Sequence, residues 1–402
     1  MSLIATCAGA LTLRRFALTL LGADTVSLDD RAIAGLQRTS VRSWGLFLAE
    51  EGCAAVVMRH LKVAGIFDAL PSGVQTTVET RALAEAQRVL AASGQLRHMA
   101  RIAERRQWTV VVLKGGVAVG EGADPLYLGD IDVLLRDEHL LELASELRAT
   151  GYAGGEEGGM YHLEPSLIES GIPIEIHRRW DRDADRVAPD WWTRVITLER
   201  FAPLRRPGAG DHLWHLLLHC AEHHSELRGR LRDLLLIAAA MRAQPPALQE
   251  QIARHPAHGA MTALLRMAGA FATVRESEYP RLGTANVTDA FERRAAGRYL
   301  LRAVMERHPV PALLRGQLIG LTLSLLDGPA ELQYYVRRVL PTIWRASLGA
   351  PRGPFALRLA AAPLRIIRRA IAQIIVALTA PVLVALAKRV FARSHRDAIL
   401  PV

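Results

Sequence analysis

Cysteine and lysine are both scarce in this sequence. Its 402 residues include three cysteines, Cys7, Cys53 and Cys220, which are far apart and odd in number. They show no zinc-ligand spacing and do not suit a disulfide framework, so they are typical of a protein in a reducing, cytoplasmic compartment. Only three of the 50 basic residues are lysines, and one of these, Lys114, stands directly before a pair of glycines.

The body of the chain lacks the excess of positive charge that nucleic-acid binding requires. The net charge is +10, but residues 341–402 contain ten Lys/Arg and one acidic residue, so nearly all of the excess lies in this tail. The rest of the chain is close to neutral. A nucleic-acid partner for the body is therefore not expected.

Internal repeats, low-complexity tracts and a clear signal-peptide cleavage pattern are also missing. Arg14 and Arg15 precede an apolar run, as they do in export signals, but the run is short and helical periodicity continues beyond it. This pattern predicts an ordinary helix. A composition that is half hydrophobic and 22% charged predicts a globular protein.

Helical patterns on both sides of a short α/β stretch predict an α+β fold with a small mixed sheet. Four segments follow from the composition: an N-terminal helical region (1–107), an α/β core (108–200), a C-terminal helical domain (208–347) and a basic hydrophobic tail (348–402). Within them we predict helices over Val41–Ala64 and Thr77–Arg106, a glycine-acidic loop over Gly154–Gly159, and a linker over Pro203–Gly210.

The candidate functional residues lie at the ends of three predicted strands. These strands are short apolar runs, Val110–Leu113, Ile131–Leu135 and Ile172–Ile176. Asp130 and Asp132 are two residues apart, so their carboxylates point to one face of the sheet, and Glu175 on a neighbouring strand can add a third. Three carboxylates repel one another unless cations lie between them, which predicts a divalent-metal site.

A phosphate site is predicted beside these carboxylates. Lys114, Gly115 and Gly116 end the first strand, and a short apolar helix can follow the glycines. Backbone N–H groups at a helix start bind phosphate well, and the Lys114 ammonium can neutralise phosphate charge. A glycine turn alone is a common feature, and so is an Asp-x-Asp strand end. Their order, each beside an apolar strand, is much more specific.

The combination LKGG…GDIDVLL…IEIH resembles the polymerase-β-type nucleotidyltransferase signature, and more closely a bacterial family of uncharacterised nucleotidyltransferases. A weaker similarity extends through HLLLHCAEHH…LRDLLLI, so the resemblance covers residues 80–245. It implies a nucleotidyltransferase core between N-terminal and C-terminal helical regions. It also implies transfer of a nucleoside monophosphate from an NTP, with ATP favoured, to a hydroxyl of a small molecule, peptide or protein. Some members are encoded beside peptide-modifying enzymes, which implies a biosynthetic role.

The resemblance also assigns roles to residues. Gly115 and Gly116 would hold the triphosphate, and Asp130 and Asp132 would bind two Mg²⁺ ions, or Mn²⁺ in their place. Glu175 would be the third carboxylate, a ligand of the catalytic ion that helps to deprotonate the acceptor.

Two positions differ from the resembled pattern. Relatives commonly carry an arginine four residues before the first aspartate, where this chain has Leu126. Gly116 stands where many members of the wider superfamily have serine. The missing arginine leaves open an alternative function, a catalytically weakened nucleotide-binding scaffold or partner protein.

The remaining histidines and aspartates have two interpretations each. His177 follows the third strand and is either a second-tier site residue or a structural hydrogen-bonding group. Asp181, Asp183 and Asp185 alternate with arginines, which is typical of a solvated loop. Five histidines crowd one helix; three share a face that suits a metal, although apolar neighbours favour simple packing. They are His212, His215, His219, His223 and His224.

The tail allows a membrane contact. Ala370–Ala387 contains no charged residue and is flanked by arginines and lysine. A helix docked on the body or lying on anionic lipid is favoured over a spanning helix, because the segment is alanine-rich and contains Pro381. Peripheral membrane association through 351–402 is therefore a further alternative.

Overall fold

The structure is a computed structural model of the whole chain. It describes residues 2–22, 30–158, 162–167, 172–177, 190–223, 229–241, 247–255, 257–269, 271, 284–308, 312–327, 332–333 and 362–396. The aspartates at 181, 183 and 185 and the histidine at 224 lie outside these residues.

The N-terminal region is helical, as predicted. Its helices are α1 (Leu3–Gly22), α2 (Asp30–Arg38), α3 (Val41–Glu51), α4 (Ala54–Val63) and α5 (Ser72–Arg106). The prediction of one helix over Val41–Ala64 was wrong, because Gly52 adopts a left-handed backbone with φ +62° and interrupts it. The long helix begins five residues before Thr77, since Pro71 immediately precedes its first turn, where the missing N–H of proline costs little.

A mixed sheet follows. Its strands and the intervening helices are β1 (Val111–Val112), α6 (Lys114–Glu121), β2 (Ile131–Leu134), α7 (Leu140–Ala149), β3 (Tyr152–Gly158), β4 (His162–Leu167), β5 (Ile174–His177), α8 (Trp191–Arg194), β6 (Ile196–Thr197) and β7 (Arg205–Arg206). The strand order is β3-β4-β5-β2-β1-β7-β6. β2 is parallel to β5 and antiparallel to β1. The predicted α+β fold with a small mixed sheet is confirmed.

Two segments predicted as irregular are strands. The glycine-acidic stretch within Gly154–Gly159 belongs to β3, which pairs with β4, and the predicted linker contains β7. β7 is parallel to β1, and the Arg205 N–H donates to the Val110 carbonyl at 2.9 Å. Backbone pairing with a neighbouring strand, adjacent in sequence for β3 and distant for β7, outweighs the low strand propensity of glycine and arginine.

The core of the sheet lies under α5. Leu96 and Met99 of α5 pack in one buried cluster with Ile131, Val133 and Ile174 of β2 and β5. Helix α5 therefore packs on the sheet. Because alternate residues of a strand point to opposite faces, burial of the isoleucines and valines directs the residues between them to the other face.

Helices continue after the sheet. They are α9 (Ala209–Leu218), α10 (Leu231–Met241), α11 (Ala247–Arg254), α12 (His258–Gly269), α13 (Thr284–Arg307), α14 (Ala312–Asp327) and α15 (Ala362–Arg396). A π-helical turn, His219–His223, follows α9 directly. The Glu51 side chain accepts a hydrogen bond from the Leu231 N–H at 2.7 Å and so caps the start of α10.

Contacts divide the chain into two compact units. The first contains Met1–Phe16, Leu28–Glu50 and Arg281–Val402, and the second contains Ala17–Ser27 and Glu51–Pro280. Within the first unit α15 packs against α13 and α14. The second unit holds the sheet and all the predicted site residues. The four-segment division drawn from the sequence stays a prediction.

Candidate active site

The register of two parallel strands brings the acidic residues together. Asp132 of β2 lies beside Glu175 of β5, and Leu134 lies beside His177. Glu175 and His177 share one face of β5, since they are two residues apart. One ligand atom from each of Asp132, Glu175 and His177 lies within 4.8 Å of the others.

Asp132 is at the centre of this group. Its Oδ1 atom accepts hydrogen bonds from the Lys114 ammonium at 2.6 Å and from His177 Nε2 at 2.7 Å. His177 Nε2 also lies 3.5 Å from Glu175 Oε2. The side chain of Asp132 is 3% exposed, so its charge depends on these partners rather than on water.

Burial and charge act against each other at this group. Burial opposes ionisation of Asp132, but the Lys114 ammonium and the His177 imidazole outweigh it and hold the pKa of Asp132 far below its usual range. Burial also opposes the charged forms of Lys114 and His177, yet Asp132 raises the pKa of both. For Glu175, burial is the largest influence and opposes ionisation, but the hydrogen bond from His177 and the positive charges of Lys114 and His177 together outweigh it, so the pKa of Glu175 is lowered.

Asp130 has a different environment. Burial raises the pKa of its carboxyl to about 6, and the negative charges of Asp132 and Glu175 act in the same direction. Lys114 and Arg232 oppose this rise without cancelling it. Asp130 is therefore a carboxylate whose ionised form lacks sufficient positive charge nearby, and a bound cation would stabilise that form.

The donor chemistry of the group fits a divalent cation. Asp132 and Glu175 supply carboxylate oxygens, the ligands that Mg²⁺ prefers, and His177 adds a nitrogen that Mn²⁺ accepts readily; Asp130 is not among the residues whose ligand atoms lie within 4.8 Å of one another. Oδ1 of Asp132 already accepts hydrogen bonds from Lys114 and His177, so a bound cation would share this carboxylate with them. Asp132, Glu175 and His177 thus suit a divalent cation, and the role of Asp130 as a metal ligand stays a prediction.

The glycine turn begins a helix, and its residues have distinct surroundings. Lys114 has φ +47°, a left-handed conformation that is uncommon for a residue with a side chain. A Cβ atom on Gly115 would lie 2.6 Å from Leu128 Cδ1, and one on Gly116 would lie 2.6 Å from Val112 Cγ1. The Gly116 N–H donates to the Leu113 carbonyl at 3.1 Å, whereas Gly115 lines an open cleft.

This cleft encloses about 660 Å³ of space that is partly open to solvent. Its polar lining includes Lys114, Gly115, Asp124, Asp130, Asp132, His219, Arg232 and Asp233. The rest of the lining includes Tyr127 and apolar side chains, some of them from helices α9 and α10. These apolar residues are Val89, Ala118, Val119, Ala123, Leu126, Leu128, Leu216 and Leu236.

Two arginines hold the loop that leads into Asp130. Arg88 of α5 donates to the carbonyls of Leu128 at 2.5 Å and Gly129 at 2.9 Å. Arg232 of α10 donates to the Tyr127 carbonyl at 3.1 Å. Neither arginine was predicted as a site residue from the sequence. The available signal was an Arg-Asp pair at the start of the otherwise apolar run LRDLLLI.

The histidine-rich helix contributes fewer candidate site residues than its composition suggests. His212 and His215 are buried. His212 hydrogen bonds to the backbone of Lys114, and burial lowers its pKa to about 4. His219 lines the cleft. The side chain of His223 is not among those that the structure describes. Among the described side chains, the groups that could bind a metal do not include the histidines of this helix.

The sheet, the carboxylates and the adjoining helix start are the features expected of a nucleotidyltransferase. Residues 46–273 match the family described as uncharacterised nucleotidyltransferase. This match spans more than half of the chain, so the protein belongs to this family, whose general activity is nucleotidyl transfer. It extends beyond residues 80–245 at both ends. Neither a curated protein nor a solved structure matches the chain.

Proposed function

We propose that the protein transfers a nucleoside monophosphate from an NTP to a hydroxyl group, with two Mg²⁺ ions as cofactors. ATP is the favoured donor, and the acceptor is a small molecule, a peptide or a protein, in keeping with a biosynthetic role. The observation that carries the proposal is the register of β2 and β5, which sets Asp132 beside Glu175 and next to Lys114 at the cleft.

The roles of the residues follow from their positions. Asp130, Asp132 and Glu175 would hold the ions, which supply stabilisation of charge on the attacking and leaving oxygens when bound. Lys114 and the backbone of Gly115 line the cleft and would bind the triphosphate. Glu175 would accept the proton of the acceptor hydroxyl. The hydroxyl oxygen would bond to the α-phosphorus of the NTP, and pyrophosphate would leave. His177 bridges Asp132 and Glu175 and would fix their orientation.

Calorimetry with wild-type protein tests the proposal. We expect ATP to bind in the presence of Mg²⁺ and binding to weaken at least about tenfold when EDTA removes the metal, because the ions offset the repulsion between triphosphate and carboxylates. A radiolabelled-NTP transfer assay on cell extract then identifies the acceptor. Absence of metal-dependent binding for all four NTPs would refute the proposal.

A nucleotide-binding scaffold without turnover is the alternative. Leu126 favours it, since this apolar side chain lines the cleft at the position where relatives commonly have arginine. The same two measurements separate the hypotheses. Binding of NTP with no transfer to a broad panel of hydroxyl acceptors would support the scaffold.

A peripheral membrane contact is a second candidate property, and it is favoured by the exposed face of α15. Within the described residues, two helices are long and apolar enough to span a membrane, Leu3–Leu21 and Ile375–His395, and 28% of the second is buried against 61% of the first. Among the side chains that the structure describes on α15, the large exposed apolar ones are Ile375, Leu378 and Val382. They follow one face of the helix, and basic residues flank the segment, which suits anionic lipid.

Vesicle co-sedimentation tests this contact. We expect the double substitution Leu378→Glu and Val382→Glu to reduce binding to phosphatidylserine vesicles at least about fivefold, because two charges replace the apolar face. Leu83→Glu with Leu90→Glu is the matched control, since these exposed leucines of α5 have similar accessibility. Point variants are preferable to deletion because Val376, Ala380 and Leu383 of the same helix are buried. Equal binding by wild type and both variants would remove the membrane hypothesis.

A further inference from the structure

We propose that Arg232, in the first turn of α10, binds the triphosphate of the nucleotide donor; this inference rests on the proposed function. Arg232 lies outside the sheet, on a helix of the C-terminal helical region. It lines the same cleft as Lys114, Gly115 and Asp130. The cleft is thus built from two distant parts of the chain, and each contributes a cationic side chain to it.

The backbone around Arg232 fixes the start of its helix. Glu51 caps α10 by accepting the Leu231 N–H at 2.7 Å. The next residue, Gly52, has φ +62°, and a Cβ atom there would lie 3.0 Å from Tyr127 Cβ and 3.4 Å from Arg232 Cδ. The Gly52 carbonyl accepts the Tyr127 N–H at 2.9 Å. The close approach at Gly52 therefore leaves room for both the Arg232 side chain and the loop that leads to Asp130.

The guanidinium retains donors for a ligand. Arg232 Nη1 donates to the Tyr127 carbonyl at 3.1 Å, and Nε and Nη2 lie 3.1 Å from Asp233 Oδ1. Among the described residues, these contacts use three of the five N–H groups that a guanidinium carries. The side chain is 16% exposed, and it lines the cleft. A planar, partly desolvated fork with two remaining N–H groups suits a phosphate oxygen.

The charges around the cleft also favour an anion next to Arg232. The positive charges of Lys114 and Arg232 both lower the pKa of Asp130, so this carboxyl group lies near two cations. Two Mg²⁺ ions held by Asp130, Asp132 and Glu175 would neutralise these carboxylates. Lys114 would then be available to balance the negative charges of a triphosphate, and Arg232, which keeps its pairing with Asp233, would add hydrogen-bond donors beside it.

Arg232 also lies beside the position of Leu126. Its Nη1 atom bonds to the carbonyl of Tyr127, the residue that follows Leu126, and both Leu126 and Arg232 line the cleft. A cation is thus supplied to this wall from α10 even though residue 126 is apolar. The substitution at Leu126 consequently does not leave the wall without a phosphate-binding group.

Binding measurements on Arg232→Gln and Arg232→Lys test the inference. We expect Arg232→Gln to weaken binding of Mg·ATP by about tenfold to a hundredfold, the range for loss of a charge-assisted hydrogen bond, while adenosine affinity changes by less than about twofold. Inorganic triphosphate, as a competitor, should lose affinity in parallel with ATP. Arg232→Lys keeps the charge and should retain part of the ATP affinity, and it serves if the glutamine variant does not fold.

Arg88→Gln is the matched control. Arg88 also donates to carbonyls of the same loop, at Leu128 and Gly129, but it is not among the residues that line the cleft. If Arg232 acts only by holding the loop, both variants will change ATP and adenosine affinity by similar factors, and the inference is overturned. An unchanged ATP-to-adenosine affinity ratio in both Arg232 variants would have the same meaning. Failure of wild type to bind any NTP would instead refute the proposed function, and the inference with it.

Discussion

Replacement of Asp132 by Asn is expected to abolish nucleotidyl transfer, with kcat reduced by at least about 10²- to 10³-fold. Losses of this size follow removal of one electrostatic group that acts on the transition state. Asp132 is the carboxylate on which Lys114, His177 and the neighbouring Glu175 converge. A neutral amide keeps the shape of the side chain but cannot provide the charge that orders these groups or holds a cation.

The same substitution should lower stability. Asp132 is buried, and Lys114 would lose its ion-pair partner, which costs about 3 kcal/mol when one member of a buried pair is removed. Because Asn keeps the shape of this buried side chain, it is a better test than Ala.

Asp190→Asn is the control, because Asp190 is a largely exposed carboxylate paired with Arg194 on the surface. Initial rates in the labelled-NTP assay and thermal unfolding are the measurements. Transfer by Asp132→Asn within tenfold of wild type would show that the site lies elsewhere.

Gln95→Leu is expected to destabilise the sheet unit by about 2 to 5 kcal/mol. The buried Gln95 amide donates to the Ile172 carbonyl at 2.7 Å and accepts the Ile172 N–H at 3.0 Å. Leucine fills the space but leaves both backbone groups without these partners in a buried environment, and each unsatisfied group costs about 1 to 3 kcal/mol. Since Ile172 precedes β5, the change also loosens the strand that carries Glu175 and His177.

Gln75→Leu provides the comparison for this prediction. Gln75 also binds backbone carbonyls, those of Leu70 and Asp68, but near solvent, where water can replace the lost contacts. We expect this control to cost less than about 1 kcal/mol. The midpoint of thermal unfolding and hydrogen exchange across β5 are the readouts. Equal midpoints for the two variants would contradict a structural role of the Gln95–Ile172 pair.

Much of the site could be predicted because its chemistry is local. Asp130 and Asp132 are predicted to share a face because residues two apart in a strand do, and the apolar residues around them identify the strand; in the structure Asp132 lies in β2 and Asp130 immediately precedes it. The Lys114-Gly115-Gly116 turn likewise predicts a helix start. These inferences need only the properties of a few consecutive residues, and they correctly located α6, β2 and β5.

Other features depend on partners that a local pattern does not contain. β3 and β7 have glycine and arginine where strands usually have β-branched residues, and they are strands because β4 and β1 provide backbone partners. Arg88, Gln95 and Arg232 read as ordinary helical residues. Their importance arises from backbone atoms that they reach in distant parts of the chain.

The sequence by itself determined the α+β class, the apolar strands and the set of carboxylates with their glycine turn. Only the tertiary structure decided that β2 and β5 pair in parallel with Asp132 beside Glu175, that Lys114 and His177 converge on Asp132, and that α10 brings Arg232 to the same cleft. The physical reason is that side-chain periodicity is encoded by neighbouring residues. Strand register and buried charge pairing depend on hydrogen-bond partners that come together only when the chain folds.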